Sequence, residues 1–502
     1  MLVLALVLPA LAADPLPEVR APEALDRQIT GFALFQTRTA ATDIASTNPL
    51  LDGQVIGRLG GTNGVIVDPT AFATYTEQRL STFATFTPRM LDGKAALTGA
   101  FELDWAWGDR SYGVAGNTGG AFGGDMVNLQ TRRLQAEFFP TLGPTAWHVV
   151  AGLQLLTDGV NDPTGAAPDA LFRSGGKLMF FGSEASGLAA YGRLRTPWGD
   201  RAKWRLGTFT LYEQGLSLPD DVWLLVADAE VRPAWATTAG VHAWYLQDRA
   251  GGAAGALGSG PASALSELQG GPLLDPYAGV VRPEGAAIDA DLVWLGADFG
   301  HNAALDRGPI GVTASAFLNM GRVYATVAQD TQVGGALLDA EARWRFAPGE
   351  GSVLRAEGLW TSADGANTTQ YGGVVTGNSY GIAGALYASH GMVLLLPDPG
   401  SINRMVAVVS DVSGAGRGVT AGMASAGYDV IPDRLTATLN AGTALDGAGQ
   451  SWGTEGNLRV SATPLPLMDV AVTAAACAPG AASGITDLAW AGYLTLDWLL
   501  AP

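Results

Sequence analysis

Apolar and polar side chains alternate along many stretches of this chain. Phe101, Leu103, Trp105 and Trp107 interleave with Glu102, Asp104 and Ala106. Ala342, Trp344 and Phe346 interleave with Glu341, Arg343 and Arg345, and Leu354, Ala356 and Trp360 with Arg355, Glu357 and Thr361. The same holds for Leu435, Ala437, Leu439 and Ala441 against Arg434, Thr436, Thr438 and Asn440. It holds again for Leu458, Val460 and Ala462 against Asn457, Arg459 and Ser461, and for Trp490, Leu494, Leu496 and Trp498 against Tyr493, Thr495 and Asp497. Successive side chains on a strand point to opposite faces, so this period predicts strands with one apolar and one polar face. The polar faces carry too much charge to form the core of a soluble sandwich. Eight hairpins are expected, at 77–107, 127–157, 178–215, 221–249, 286–324, 333–363, 415–445 and 453–478. A first strand near 29–37 and a last near 486–498 complete the set.

The connections come in two kinds. Tight turns lie at Leu91-Asp92-Gly93-Lys94, Leu142-Gly143-Pro144, Pro197-Trp198-Gly199-Asp200, Pro348-Gly349-Glu350, Pro432-Asp433 and Pro464-Leu465-Pro466, each with Gly, Pro or Asp. Long connections, 108–126, 158–176, 250–285 and 364–414, separate the hairpins. Short turns at one end and long loops at the other mark bacterial outer-membrane barrels, whereas a propeller or β-helix would repeat at a fixed length. The expected fold is all-β: a single transmembrane antiparallel up-and-down β-barrel of about 18 strands (16–18), with short periplasmic turns and long extracellular loops. An even number places both chain ends on the periplasmic side. Segment 379–388 also alternates, but it would spoil the parity and is assigned to the loop 364–414, folded toward the lumen.

One stretch breaks the period. Asn128, Gln130 and Arg132 share one face, while Arg133, Gln135 and Glu137 share the other. A β-bulge at Arg132-Arg133 would bring all six to the lumen. Alternatively, one arginine snorkels from the lipid face to the membrane edge.

Composition narrows the class. Of 502 residues, 15% are charged and 48% hydrophobic, the reverse of a disordered chain. A net charge of −18 argues against nucleic acid, whose phosphates call for a basic face. The single cysteine, Cys477, rules out an intramolecular disulfide and reads as a small apolar strand residue. Residues 1–13, MLVLALVLPALAA, end in Ala10-Leu11-Ala12 and read as a signal peptide. Residues 14–28 then form a periplasmic N-terminal segment, and 29–502 the barrel. No other segment approaches the ~18–20 apolar residues of a membrane helix, so any crossing must be made by a closed barrel.

Several patches resemble a known family. Phe101-Glu102-Leu103-Asp104-Trp105-Ala106-Trp107-Gly108-Asp109, then Gly123-Gly124-Asp125, Asn128 to Pro140 and Gly152-Leu153-Gln154, resemble the first hairpins of porin-like outer-membrane proteins, nearest to the alginate-export barrels. Leu396-Pro397-Asp398-Pro399, Ile402-Asn403 and Ser410-Asp411-Val412-Ser413 resemble a loop of that family. The resemblance implies an arginine-lined lumen that passes an acidic polysaccharide. The chain departs from the pattern at its end, Trp498-Leu499-Leu500-Ala501-Pro502, where such barrels carry a terminal aromatic residue.

The candidate chemistry is a set of lumen-directed charges. Arg132, Arg133, Arg343, Arg345, Arg355, Arg434 and Arg459 fall on the expected inner faces, with Glu102, Asp104, Glu137, Glu341 and Glu357 among them. Guanidinium groups bind carboxylates and phosphates in a planar fork, so this ladder would steer hydrophilic, anionic solutes or an acidic polysaccharide. The other reading is that each arginine pairs with a neighbouring carboxylate and fills the wall. Gly377-Asn378-Ser379-Tyr380-Gly381 matches the serine-hydrolase elbow but lacks its strand–turn–helix context, and His390 beside Ser389 makes a poor base. His148, His242 and His301 are not at metal-ligand spacing, and Gly175-Gly176-Lys177 lacks the rest of a P-loop. The loop carboxylates Asp220, Asp221, Asp398 and Asp411 read as solvated charge, with Ca²⁺ binding through their oxygens as the alternative. No catalytic residue, metal or cofactor is expected. Trp105, Trp107, Trp147, Trp223, Trp344 and Trp360 fit aromatic girdles against outer-membrane lipid, and a homo-oligomer stays open. Three functions follow as expectations: a passive channel, a non-conducting structural or adhesive barrel whose loops bind, and, on Ser379 and His390 alone, an outer-membrane hydrolase.

Overall fold

The computed structural model describes residues 29–46, 65–68, 70, 72–106, 128–140, 147–157, 182–196, 199–213, 221–234, 236–250, 288–325, 330–365, 370–375, 391–395 and 416–500. Residues 1–28 and segment 379–388 lie outside them.

The architecture is a closed antiparallel β-barrel of 18 strands. The strands are β1 (Ile29–Thr42), β2 (Ala73–Phe86), β3 (Ala95–Ala106), β4 (Asn128–Phe138), β5 (Trp147–Thr157) and β6 (Gly182–Thr196). They continue with β7 (Gly199–Tyr212), β8 (Val222–Ala234), β9 (Thr237–Asp248), β10 (Ile288–His301), β11 (Ile310–Ala325) and β12 (Thr331–Arg345). The last six are β13 (Val353–Thr361), β14 (Thr420–Ile431), β15 (Leu435–Leu445), β16 (Ser451–Leu465), β17 (Met468–Pro479) and β18 (Ala489–Leu500). Each strand pairs with its sequence neighbours, and β1 pairs with both β2 and β18 to close the ring. The first strand runs beyond the expected 29–37 because both partners continue to Thr42.

Turn chemistry sets the hairpins. Between β2 and β3 a 3-10 turn at Arg89–Leu91 runs into Asp92 and Gly93, both of positive φ (47° and 73°), where Lys94 N donates to Leu91 O at 2.8 Å and the chain reverses. Asp433 (φ 57°) does the same work between β14 and β15, and Leu467 (φ 61°) between β16 and β17. Long connections (43–72, 107–127, 158–181, 249–287 and 362–419) leave the opposite end of the barrel. Within the first, Ile44–Ser46 and Val65–Val67 form a small antiparallel pair that the sequence pattern did not announce.

Alternation sorts the side chains as expected. Leu338, Leu439, Leu458, Val472 and Leu494 face outward, each 47–58% exposed. So dense an exposed apolar face is suited to lipid. Toward the turn end, Trp147, Trp344, Phe346, Tyr428 and Trp498 form one outward aromatic band, with Phe346 stacked on Tyr428. Toward the loop end, Trp223, Tyr324 and Trp360 form another. The side chains of Trp105 and Trp107 lie outside the description.

The bulge is present. Ala100 pairs with Arg133 but Phe101 pairs with Thr131, so Arg132 is the inserted residue. The register places Asn128 and Gln130 opposite Asp104 and Glu102, while Arg133, Gln135 and Glu137 are buried on the inner face beyond the shift.

The interior corrects one expectation. It is not uniformly polar. Phe209, Leu224, Val226, Trp244, Leu246, Leu292, Trp294 and Phe317 point inward and form an apolar cluster. They pack with Val374 and Val375 and, farther round, Met392, Leu394 and Leu395, which belong to the 362–419 connection. Trp294 Nε1 donates to Val375 O at 2.8 Å, and Val375 N donates to Asn319 Oδ1 at 3.1 Å. Segment Gln370–Tyr371 pairs in parallel with β12 at Gln332–Val333, beyond the point where β13 ends opposite Leu337. Part of the longest loop therefore enters the lumen, and the inward residues it meets are apolar because they face protein instead of water.

The lumen wall as candidate functional site

The charged inner wall has two levels. At mid-height, Glu102 of β3 is 1% exposed, accepts a hydrogen bond from Ser81 Oγ at 3.2 Å and pairs with Arg79 of β2 at 3.0 Å. Arg133 of β4, also 1% exposed, lies with its guanidinium 5.2 Å from the Phe83 ring centre. Of Arg132 and Asp104, only the backbone is described.

Near the turn end, Glu341, Arg343 and Arg345 of β12 point inward, as the alternation predicted. So do Arg355 and Glu357 of β13. The register sets Glu341 opposite Glu357 and Arg343 opposite Arg355. Arg343 Nε donates to Glu341, and its Nη1 donates to Ala303 O at 3.0 Å. Arg345 Nη1 donates to Leu305 O at 2.9 Å. Arg355 has no hydrogen bond or ion pair among the described residues. Two guanidinium groups therefore stand side by side, one tethered and one not.

Arg459 of β16 points inward and pairs with Asp469 of β17 at 3.1 Å, both about two-fifths exposed. Arg434 departs from expectation. It keeps the inward parity of β15 but sits in the exposed turn Pro432–Arg434, because the strand begins only at Leu435.

The most deeply buried charges were not anticipated. Asp228 of β8 accepts from Arg205 Nε at 2.7 Å and Nη2 at 2.6 Å, from Trp244 Nε1 at 2.8 Å, and meets His242 Nδ1 at 2.8 Å. His242 Nε2 in turn lies 2.7 Å from Asp298 Oδ2. Four strands, β7 to β10, contribute to this cluster. Their pairing aligns Asp228 with both Arg205 and His242. Elsewhere, Arg38 lies 3.9 Å over the Tyr493 ring and Arg417 3.9 Å over that of Trp452.

The wall is thus largely a mosaic of ion pairs, in which Arg79, Arg205, Arg343 and Arg459 each hold a wall carboxylate. Of the ladder read from the sequence, Arg343 and Arg459 pair with carboxylates, Arg345 holds the backbone carbonyl of Leu305, and Arg355 has no partner among the described residues. No group of His, Cys, Asp or Glu among the described residues is placed to hold a metal ion. The 377–381 motif, His390, Asp220, Asp398, Asp411 and 175–177 lie outside the described residues. Asp221 is engaged by Trp223 Nε1 at 3.3 Å.

No family model matches the chain, and no curated protein matches it. Among solved structures, it is similar to OccAB1 of Acinetobacter baumannii, with 11% identity, a TM-score of 0.49, and 96% of this chain and 99% of that one covered. It is similar to Pseudomonas aeruginosa OccK1 (OpdK), with 12% identity, a TM-score of 0.49, and 94% and 99% covered. It is also similar to the outer membrane channel DcaP of Acinetobacter baumannii, with 11% identity, a TM-score of 0.42, and 94% and 97% covered.

Proposed function

We propose that this protein is a bacterial outer-membrane channel through which small hydrophilic solutes, anions among them, pass by diffusion. The observation that carries the reading is a closed barrel with a lipophilic exterior and charged side chains on its inner wall. A sheet that exposes leucine and valine outward and buries arginine and glutamate inward is suited to lipid outside and polar solute inside. The even strand number, the turn–loop asymmetry and the leader-like first 13 residues favour the outer membrane. Arg343 and Arg355 supply positive charge at the turn-end mouth, which favours carboxylate- or phosphate-bearing solutes.

Passage of an acidic polysaccharide, which the resemblance to alginate-export barrels implied, is less well supported. An extended polymer needs an uninterrupted lumen, and residues 370–375 and 391–395 occupy part of this one. The same observation favours a second reading, a non-conducting barrel whose loops bind. Liposome swelling separates the three. Purified protein in liposomes should admit a pentose and small carboxylates but exclude oligosaccharides of several residues. Entry of the long oligosaccharides would favour the polymer route, and no swelling with any solute would favour the silent barrel.

A further inference from the structure

We infer that residues 391–395 form a carboxylate-binding nest of backbone amides, and that Glu455 fills it to pin the lumenal segment to the wall. Glu455 points inward from β16 and is 1% exposed. Its Oε1 accepts from Val393 N at 2.8 Å, and its Oε2 from Leu394 N at 2.9 Å and Leu395 N at 2.7 Å. Three successive amides converging on one anion make a nest, and hydrogen bonds to an ionised acceptor are about twice as strong as neutral ones.

The surroundings hold the pair in register. Asn457 Nδ2 donates to Glu455 Oε1 at 2.9 Å and to Gly391 O at 2.7 Å. Gly391 has φ 103°, and a Cβ there would stand 2.6 Å from Asn440 Oδ1, so the backbone approaches the wall as closely as only glycine allows. Met392, Leu394 and Leu395 are 0–5% exposed, so the apolar contacts reward a position that the carboxylate defines. Without that anion, three amides would be left buried against apolar wall, and unsatisfied donors are costly. Glu455 is therefore a positioning residue for whatever passes the lumen.

The chain carries its own reporter. Cys477, its single cysteine, is fully buried and sits opposite Glu455 in the β16–β17 pairing. Its Sγ and Leu395 Cδ1 each lie 3.3 Å from where a Cβ on Gly453 would be. When the segment leaves the wall, this thiol loses cover.

The test uses full-length protein, folded in vesicles and checked by heat-modifiable migration. Maleimide labelling of Cys477 is timed in wild type, Glu455→Ala and Glu455→Gln, with and without sodium acetate, and conductance is recorded in parallel. Labelling should be roughly tenfold faster or more in Glu455→Ala, intermediate in Glu455→Gln, and slowed again in Glu455→Ala when acetate refills the nest. Labelling as slow as wild type in the folded variants overturns the inference, and so does fast labelling that acetate leaves unchanged. Glu455→Gln, close in shape to the native side chain, carries the test if the alanine variant does not fold. Conductance should rise in Glu455→Ala along with the labelling rate, and that result alone rests on the channel reading: fast, acetate-sensitive labelling with no current in any protein would contradict the channel and leave the nest standing.

Discussion

Replacing Asp228 with alanine should destabilise the barrel by about 3–5 kcal/mol, the cost of removing one partner from a buried ion pair. One carboxylate here serves Arg205, His242 and Trp244, and the Arg205 and Asp228 side chains are both fully buried. Removing it leaves a fully buried guanidinium beside Trp244 and Tyr191, where desolvation is no longer offset. Asp228→Asn keeps one acceptor oxygen and should lose less. Arg459→Ala is the control. Its pair with Asp469 is partly exposed, so its loss should fall below about 1 kcal/mol. The measurement is the midpoint of the urea transition in lipid vesicles, followed by the shift between folded and unfolded gel mobility. Equal midpoints for Asp228→Ala and Arg459→Ala would contradict the assignment of Asp228 as the shared acceptor.

The second large effect is on selectivity. Arg343→Ala with Arg355→Ala should lower the ratio of anion to cation permeability severalfold. Among the lumen arginines predicted from the sequence, Arg355 is described with no partner to neutralise it, and Arg343 stands beside it in the strand pairing. Their removal takes two positive charges from beside Glu341 and Glu357, which face each other in the same two strands. The local charge then goes from balanced to net negative, and a charged lumen wall discriminates by sign. Reversal potentials in a salt gradient give the ratio. The Arg459→Ala channel should change little, because the charge it loses is already paired. An unchanged reversal potential in the double variant would return the whole ladder to a structural role.

The fold was legible in the sequence because two independent signals agreed. Alternation placed Glu341, Arg343 and Arg345 on one face and Ala342, Trp344 and Phe346 on the other, and turn residues such as Asp92-Gly93 and Pro432-Asp433 bounded the strands. Even the bulge at Arg132 showed, since a break in period two has few causes. Three things did not show. Parity cannot say where a strand stops, and Arg434 has the right parity on the wrong side of a strand end. Register is a property of pairing, and Arg205, Asp228, His242 and Asp298 meet only once four strands are aligned. Finally, the run Val222 to Val226 is apolar on both faces, so it carries no alternation to read. Its inward side chains belong to the apolar cluster that Val374 and Val375 join from far along the chain, and no local pattern encodes that arrangement.

As proposed, this barrel spans a membrane and conducts. Planar-bilayer recording of purified protein, shown to be folded by its heat-modifiable migration, tests it most directly. Stepwise insertion with an ohmic current that favours anions is the expected result. Folded protein that inserts and passes no current under any salt gradient would contradict it.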